Sequence, residues 1–216
     1  LGPNAHLPQL IATSDGALLM VWTARGDDGA DEFGARAQGD THTAPVRINS
    51  AAVSINAITI DEMRPASATA PGGLMAVAWT DTEYDIQVAI SDDDGTTFDA
   101  PFRLNQDEGE ALQEFPSIAF DDNGILHAAW LDPRIAEDGL EEPADLYYAR
   151  VENGVISEQN LTANQESSVC GCCLPDVQID ADNIVITFRN TTADGYRDPF
   201  QVHGTVSGGF DEPNAV

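Results

Sequence analysis

The stretch Pro116-Ser117-Ile118-Ala119-Phe120-Asp121-Asp122-Asn123-Gly124-Ile125-Leu126-His127-Ala128-Ala129-Trp130 decides the fold. Two apolar runs flank Asp122-Asn123-Gly124, a turn signal, and read as a tight hairpin. The same ruler fits at three other places. Pro8, Pro65, Pro116 and Pro175 stand 57, 51 and 59 residues apart. Eight positions after each lies Gly16, Gly73, Gly124 or Asn183, and fourteen after each lies Trp22, Trp79, Trp130 or Arg189.

A second hairpin follows in each copy. Its first strand reads Asp85 to Ala89, Asp145 to Ala149 and Pro199 to His203, with Glu32 to Arg36 the weakest match. Its last strand reads Ala44 to Asn49, Ala100 to Asn105, Ser157 to Thr162 and Glu212 to Val216. Four strands per unit and four units (about 1–50, 51–108, 109–165 and 166–216) define a repeat protein. One such sheet cannot bury both of its faces, and radial stacking solves that while leaving only short edges. The expected fold is all-β, a single β-propeller domain of four-stranded antiparallel blades with four blade repeats. No segment shows a helical period.

Composition narrows the function classes. Thirty-seven Asp and Glu oppose nine basic residues, all Arg, for a net charge of −28. That excludes nucleic acid and anionic membrane surfaces as partners, both being polyanions. An acidic, lysine-free chain is read as a solvated surface adapted to high salt; an acidic face that gathers cations or a basic partner is the other reading. No apolar run is long enough to span a bilayer. The chain begins at Leu1 without Met, as a processed or trimmed chain does, and a secreted or periplasmic location is expected.

Ser91-Asp92-Asp93-Asp94-Gly95-Thr96-Thr97-Phe98 resembles the Asp-box, Ser-x-Asp-x-Gly-x-Thr-aromatic, of sialidase-like propellers. It falls between the third and fourth strands of its unit, where that family carries it. The resemblance implies a structural role, tying down a turn on the face opposite the active site. It also implies six blades, so four means a small propeller, part of a longer protein, or chains that associate to close the ring.

Sialidase chemistry implies three convergent arginines that clamp a carboxylate, a Tyr nucleophile paired with Glu, and an Asp acid/base. Candidates on the corresponding loops are Arg64, Arg134, Arg189 and Arg197 with Asp81, Asp132, Glu114 and Tyr196. Met63-Arg64-Pro65 only partly matches the family's Arg-Ile-Pro-type sequence. The other reading makes Asp132 with Arg134, and Arg197 with Asp198, local ion pairs or turn braces.

Cys170-Gly171-Cys172-Cys173 holds all three cysteines. An odd count leaves at least one thiol unpaired in a monomer. A Cys170–Cys173 disulfide or an intermolecular bridge is one reading. A soft-metal site for copper or zinc is the other. Cys173 stands two residues before Pro175, equivalent to His6, Met63 and Glu114, and equivalent positions ring the channel of a closed propeller. His6 and Met63 are therefore candidate further ligands. The Cys-x-Cys-Cys motif with Arg197-Asp198 resembles an uncharacterised subgroup of bacterial sialidase-like propellers.

Weaker signals are the sequons at Asn160 and Asn190, and the acidic runs Asp27-Asp28 and Asp92 to Asp94, read as turns with weak calcium affinity. His127 alternates with apolar neighbours and reads as core. The function expected is an exported binding or scaffold module, with a protein or glycan partner and a metal at the cysteine loop. The alternative is an exo-acting glycoside hydrolase of sialidase type.

Overall fold

The computed structural model describes residues 5–26, 29–49, 64–109, 111–136, 143–165, 168–192, 194–207 and 209–216. Each repeat supplies one antiparallel meander. The first holds β1 (Ala5–Ala12), β2 (Leu18–Gly26), β3 (Gly29–Gln38) and β4 (Thr41–His42), with β5 (Val46–Arg47) also paired to β3. The second holds β6 (Ala66–Thr69), β7 (Met75–Thr80), β8 (Ile86–Ser91) and β9 (Phe102–Arg103). The third holds β10 (Glu114–Phe120), β11 (Leu126–Asp132), β12 (Asp145–Glu152) and β13 (Val155–Asn160). The fourth holds β14 (Asp176–Asp180), β15 (Asn183–Thr191), β16 (Arg197–Thr205) and β17 (Asn214–Ala215). One 3-10 turn at Pro71–Gly73 is the only helical element among the described residues. The fold is all-β, built of four propeller blades.

The expected strands sit where the proline ruler puts them, and β4 is an unforeseen addition. The anchor proline marks a kink in two innermost strands. Leu7 and Phe115 precede Pro8 and Pro116 with φ of 50° and 54°, and the β1 and β10 registers slip there. Such bulges re-aim the side chains at a strand's entrance.

The chain divides into two compact units, Leu1–Arg103 and Leu104–Val216. In the first, Leu19, Val21, Ala30 and Ile48 pack with Met75, Val77, Trp79 and Ala89. The turn Ser91 to Phe98 braces these two sheets. Asp93 accepts from Thr97 N, Thr97 Oγ1 and Ser91 Oγ, each at 2.8 Å. Asp94 takes Ser14 N at 2.7 Å and Ser14 Oγ at 2.8 Å, and Arg36 donates to Thr96 Oγ1 at 2.9 Å. Gly95, at φ 77°, presses so close that a Cβ there would lie 2.8 Å from Leu19 Cδ2.

The same unit buries a carboxyl in the middle of a strand. Glu32 N donates to Asn49 Oδ1 and Glu32 O accepts from Ile48 N, as Leu146 does with Thr162 Oγ1 and Leu161 N. Glu32 therefore occupies the position of an apolar residue in the third repeat. Thr23 Oγ1 bonds its Oε1 at 2.6 Å, Oε2 has no hydrogen-bond partner among the described residues, and burial pushes the acid up to about 8.

Candidate metal centre

The cysteine loop lies in the second unit, stitched between two sheets. Val169 bridges Ala144 at the head of β12 and Asn190 near the end of β15. Cys170 N donates to Arg189 O at 2.8 Å, and Thr191 N to Ser168 O at 3.0 Å. Cys173 N turns back to Cys170 O at 3.4 Å, closing the four-residue loop and gathering its side chains. Sγ of Cys170 lies 3.1 Å from that of Cys172 and 3.6 Å from that of Cys173; Cys172 and Cys173 are 3.6 Å apart. All three are free thiols, with Cys170 buried, Cys173 half-buried and Cys172 exposed.

Two guanidinium groups face the sulfurs. Arg189 on β15 donates through Nη1 to Cys173 Sγ, and Arg197 on β16 through Nη1 to Cys172 Sγ, each at 3.5 Å. Strand pairing explains why both arrive. Thr191 opposes Arg197 and Arg189 opposes Pro199, so the two arginines share one face of the hairpin. Arg189 Nε is fixed to Arg197 O at 3.0 Å, locking the pair together. Burial pushes the Cys170 thiol up to about 11. Burial would also raise Cys173, but the bonds from Arg189 and its sister thiols outweigh it and hold Cys173 below the ordinary thiol value. Cys173 is thus the most readily formed thiolate that the shifts identify.

Thiolates in this arrangement suit a soft ion. A metal–sulfur bond of about 2.3 Å puts three sulfurs roughly 3.8–4.0 Å apart around one centre. To reach that spacing the two 3.6 Å pairs open by a few tenths of an ångström and the Cys170–Cys172 pair by nearly 1 Å. Among the described residues, Cys170, Cys172 and Cys173 form the one group of three or more metal-ligating side chains. Of the other expected ligands, His6 lies on β1 in the first unit, opposite Thr23, and Met63 lies outside the described residues.

The candidate hydrolase residues are dispersed over different tasks. Arg134 is a brace. Its Nε and Nη2 grip Asp132 at 2.9 and 2.5 Å, its Nη1 meets Glu158 at 3.0 Å, and its guanidinium lies over the Tyr147 ring at 3.9 Å. Asp132 is fully buried and also accepts from Trp130 Nε1 at 3.1 Å. Arg134 and Asp132 are thus occupied with each other, while Arg189 and Arg197 reach sulfur; the three candidate arginines of this unit engage different groups. Glu114 opens β10 opposite Leu131, and Tyr196 is 70% exposed in the β15–β16 turn. In the first unit, Arg64 is exposed just before β6, and Asp81 caps a turn by accepting from Glu83 N, Asp85 N and Gln87 Nε2.

His127 is core, fully buried with Nδ1 2.6 Å from Tyr148 Oη. Asn190 is fully buried, and half-buried Asn160 donates through Nδ2 to Asp145 Oδ2 at 2.7 Å. The meeting of Arg189 with Cys173 escaped the sequence reading. Its signal was present, because Arg189 breaks a row that reads Trp22, Trp79 and Trp130.

No protein-family model matches the sequence, and no curated protein is similar to it. Solved structures are similar in fold. A Dyadobacter fermentans protein of unknown function superposes with TM-score 0.68 at 12% identity, over 98% of this chain and 69% of that one. The GH93 alpha-L-arabinofuranosidase of Fusarium graminearum, solved with arabinobiose, gives TM-score 0.64 at 12% identity, over 98% and 67%. A Trypanosoma rangeli sialidase, solved with the inhibitor DANA, gives 0.59 at 14% identity, over 97% and 38%. These neighbours share the propeller fold.

Proposed function

We propose that this protein is an exported β-propeller binding module that holds one soft metal ion, monovalent copper ahead of zinc, at Cys170, Cys172 and Cys173. The observation that carries the reading is three free sulfurs within 3.6 Å of one another on a loop pinned by two sheets. Graded burial fits a bound ion, with Cys170 as the anchor and Cys172 open to exchange with solvent or a partner. The site lies on an acidic chain, whose field concentrates cations around it. The Asp-box-like turn, the four blades and the cysteine motif support placing the chain among sialidase-like propellers.

The test is elemental analysis of chelator-free protein beside a thiol count under denaturing conditions. About one copper per chain, with three titratable thiols after metal removal, is expected. One thiol and no uptake of anaerobically supplied copper(I) would overturn the reading.

A second reading has its own support, since two of the solved neighbours are glycoside hydrolases. An exo-acting hydrolase would draw on Asp132, Glu114 and Tyr196. Turnover of an aryl arabinofuranoside or sialoside that survives Cys172→Ser but is abolished by Tyr196→Phe would favour it.

A further inference from the structure

We infer that Arg189 and Arg197 are the selectivity residues of the cysteine site, setting it for a monovalent, three-coordinate ion and against a divalent one. This rests on the metal reading above. Three thiolates carry a charge of −3. A monovalent ion leaves −2, which two guanidinium groups balance. A divalent ion leaves −1, so the same pair over-neutralises the site and adds repulsion toward the metal. Zinc also asks for a fourth ligand, and the cluster offers three. Coordination number and charge therefore point the same way.

Nothing about the arginine pair looks incidental. The chain has only nine cations among thirty-seven acids, and two of them stand on this one cluster. Arg189 replaces the buried tryptophan of the other three repeats, giving up an apolar contact for an exposed charge. Its Nε bond to Arg197 O orients the guanidinium, and each arginine takes a different sulfur. Cys170, the sulfur without a guanidinium, is the buried one, anchored through its own backbone to Arg189 O. The arginines touch the ligands rather than the ion, so they are positioning residues that act through charge.

The experiment measures copper(I) and zinc(II) affinities of the full chain by anaerobic competition with chromophoric chelators. Wild type is compared with Arg189→Gln, Arg197→Gln, the double variant and Arg189→Lys. Each glutamine is expected to lower copper(I) affinity about tenfold and leave zinc(II) affinity equal or higher. The copper-to-zinc ratio then falls about 100-fold in the double variant, and Arg189→Lys keeps most of it. Equal losses for both ions, an unchanged ratio, or a lysine variant as poor as the glutamine one would overturn the inference. Wild-type protein that takes up neither ion would instead overturn the metal reading itself, a distinct result.

Discussion

The third and fourth repeats run the same hairpin frame to opposite ends. Every residue of β11 is buried, whereas β15 alternates, with Thr187 and Arg189 exposed. At the fourteenth position after the proline the third repeat has Trp130, stacked on Tyr147 and bonded to Asp132. The fourth has Arg189 opposite Pro199, aimed at sulfur. In the third repeat the polar groups near that position are engaged within the fold: Arg134 bonds Asp132 and Glu158, Trp130 Nε1 donates to Asp132, and Gln106 N donates to Glu158. In the fourth, Arg189 and Arg197 are turned toward the sulfurs of the cysteine loop. The frame residues of the repeat report the fold, and its broken positions report where chemistry can occur.

Exchanging the two residues tests that contrast most severely. Trp130→Arg places an unpaired cation in a closed interior and is expected to cost about 5 kcal/mol or more, enough to unfold the second unit. Arg189→Trp, on an exposed face, is expected to change stability by less than about 1 kcal/mol while weakening the copper(I) binding proposed for the cysteine loop. Urea unfolding of both variants decides it; similar losses would mean that β15 is as enclosed as β11.

The first repeat breaks the frame inside its core, which extends the comparison to pH. Glu32 stands where the third repeat has Leu146, and its acid is raised from 4.5 to about 8 in the folded state. Between those values the folded chain binds more protons than the unfolded chain, so stability falls as pH rises from about 4.5 to 8 and levels off above. The loss is on the order of 5 kcal/mol. Glu32→Gln is expected to flatten that slope in urea midpoints taken at a series of pH values; an unchanged slope would assign it to other groups.

The smallest contrast is between two hairpin turns. The third repeat turns through Asn153 and Gly154, both at positive φ, as a two-residue hairpin prefers. The second uses Asp93 as acceptor for Ser91 and Thr97. Asp93→Ala is expected to cost about 1–2 kcal/mol. The same change at Glu152, which pairs only with Arg150 on the surface among the bonds described, is expected to cost less than about 0.5 kcal/mol. Thermal unfolding midpoints that drop equally would remove the distinction.

Most of the fold was legible because prolines, turn glycines and tryptophans are framework residues whose roles are local and recur. The cysteine loop was legible as a cluster for the same reason, its members being adjacent in sequence. What binds it was not. Arg189 and Arg197 reach it through strand pairing, and no spacing along the chain encodes which face of a hairpin a distant loop will cover. For Arg134 the brace with Asp132 was one of the two readings, but its second partner was not legible: Glu158, twenty-four residues on, meets it only once β13 is laid down. Glu32 opened the weakest strand match, and its burial follows from the register, which places it where the third repeat has Leu146.

The brace at Ser91 to Phe98 also bears on how the first unit comes apart. Stacked repeats that touch only through their faces can open one at a time. Here the turn of one sheet is bonded to the β1–β2 turn and to β3 of its neighbour, and Gly95 leaves no slack against Leu19. Exchange of backbone amide hydrogens in β2 and β7 should therefore proceed through a shared opening, at one common rate of deuterium uptake, rather than sheet by sheet.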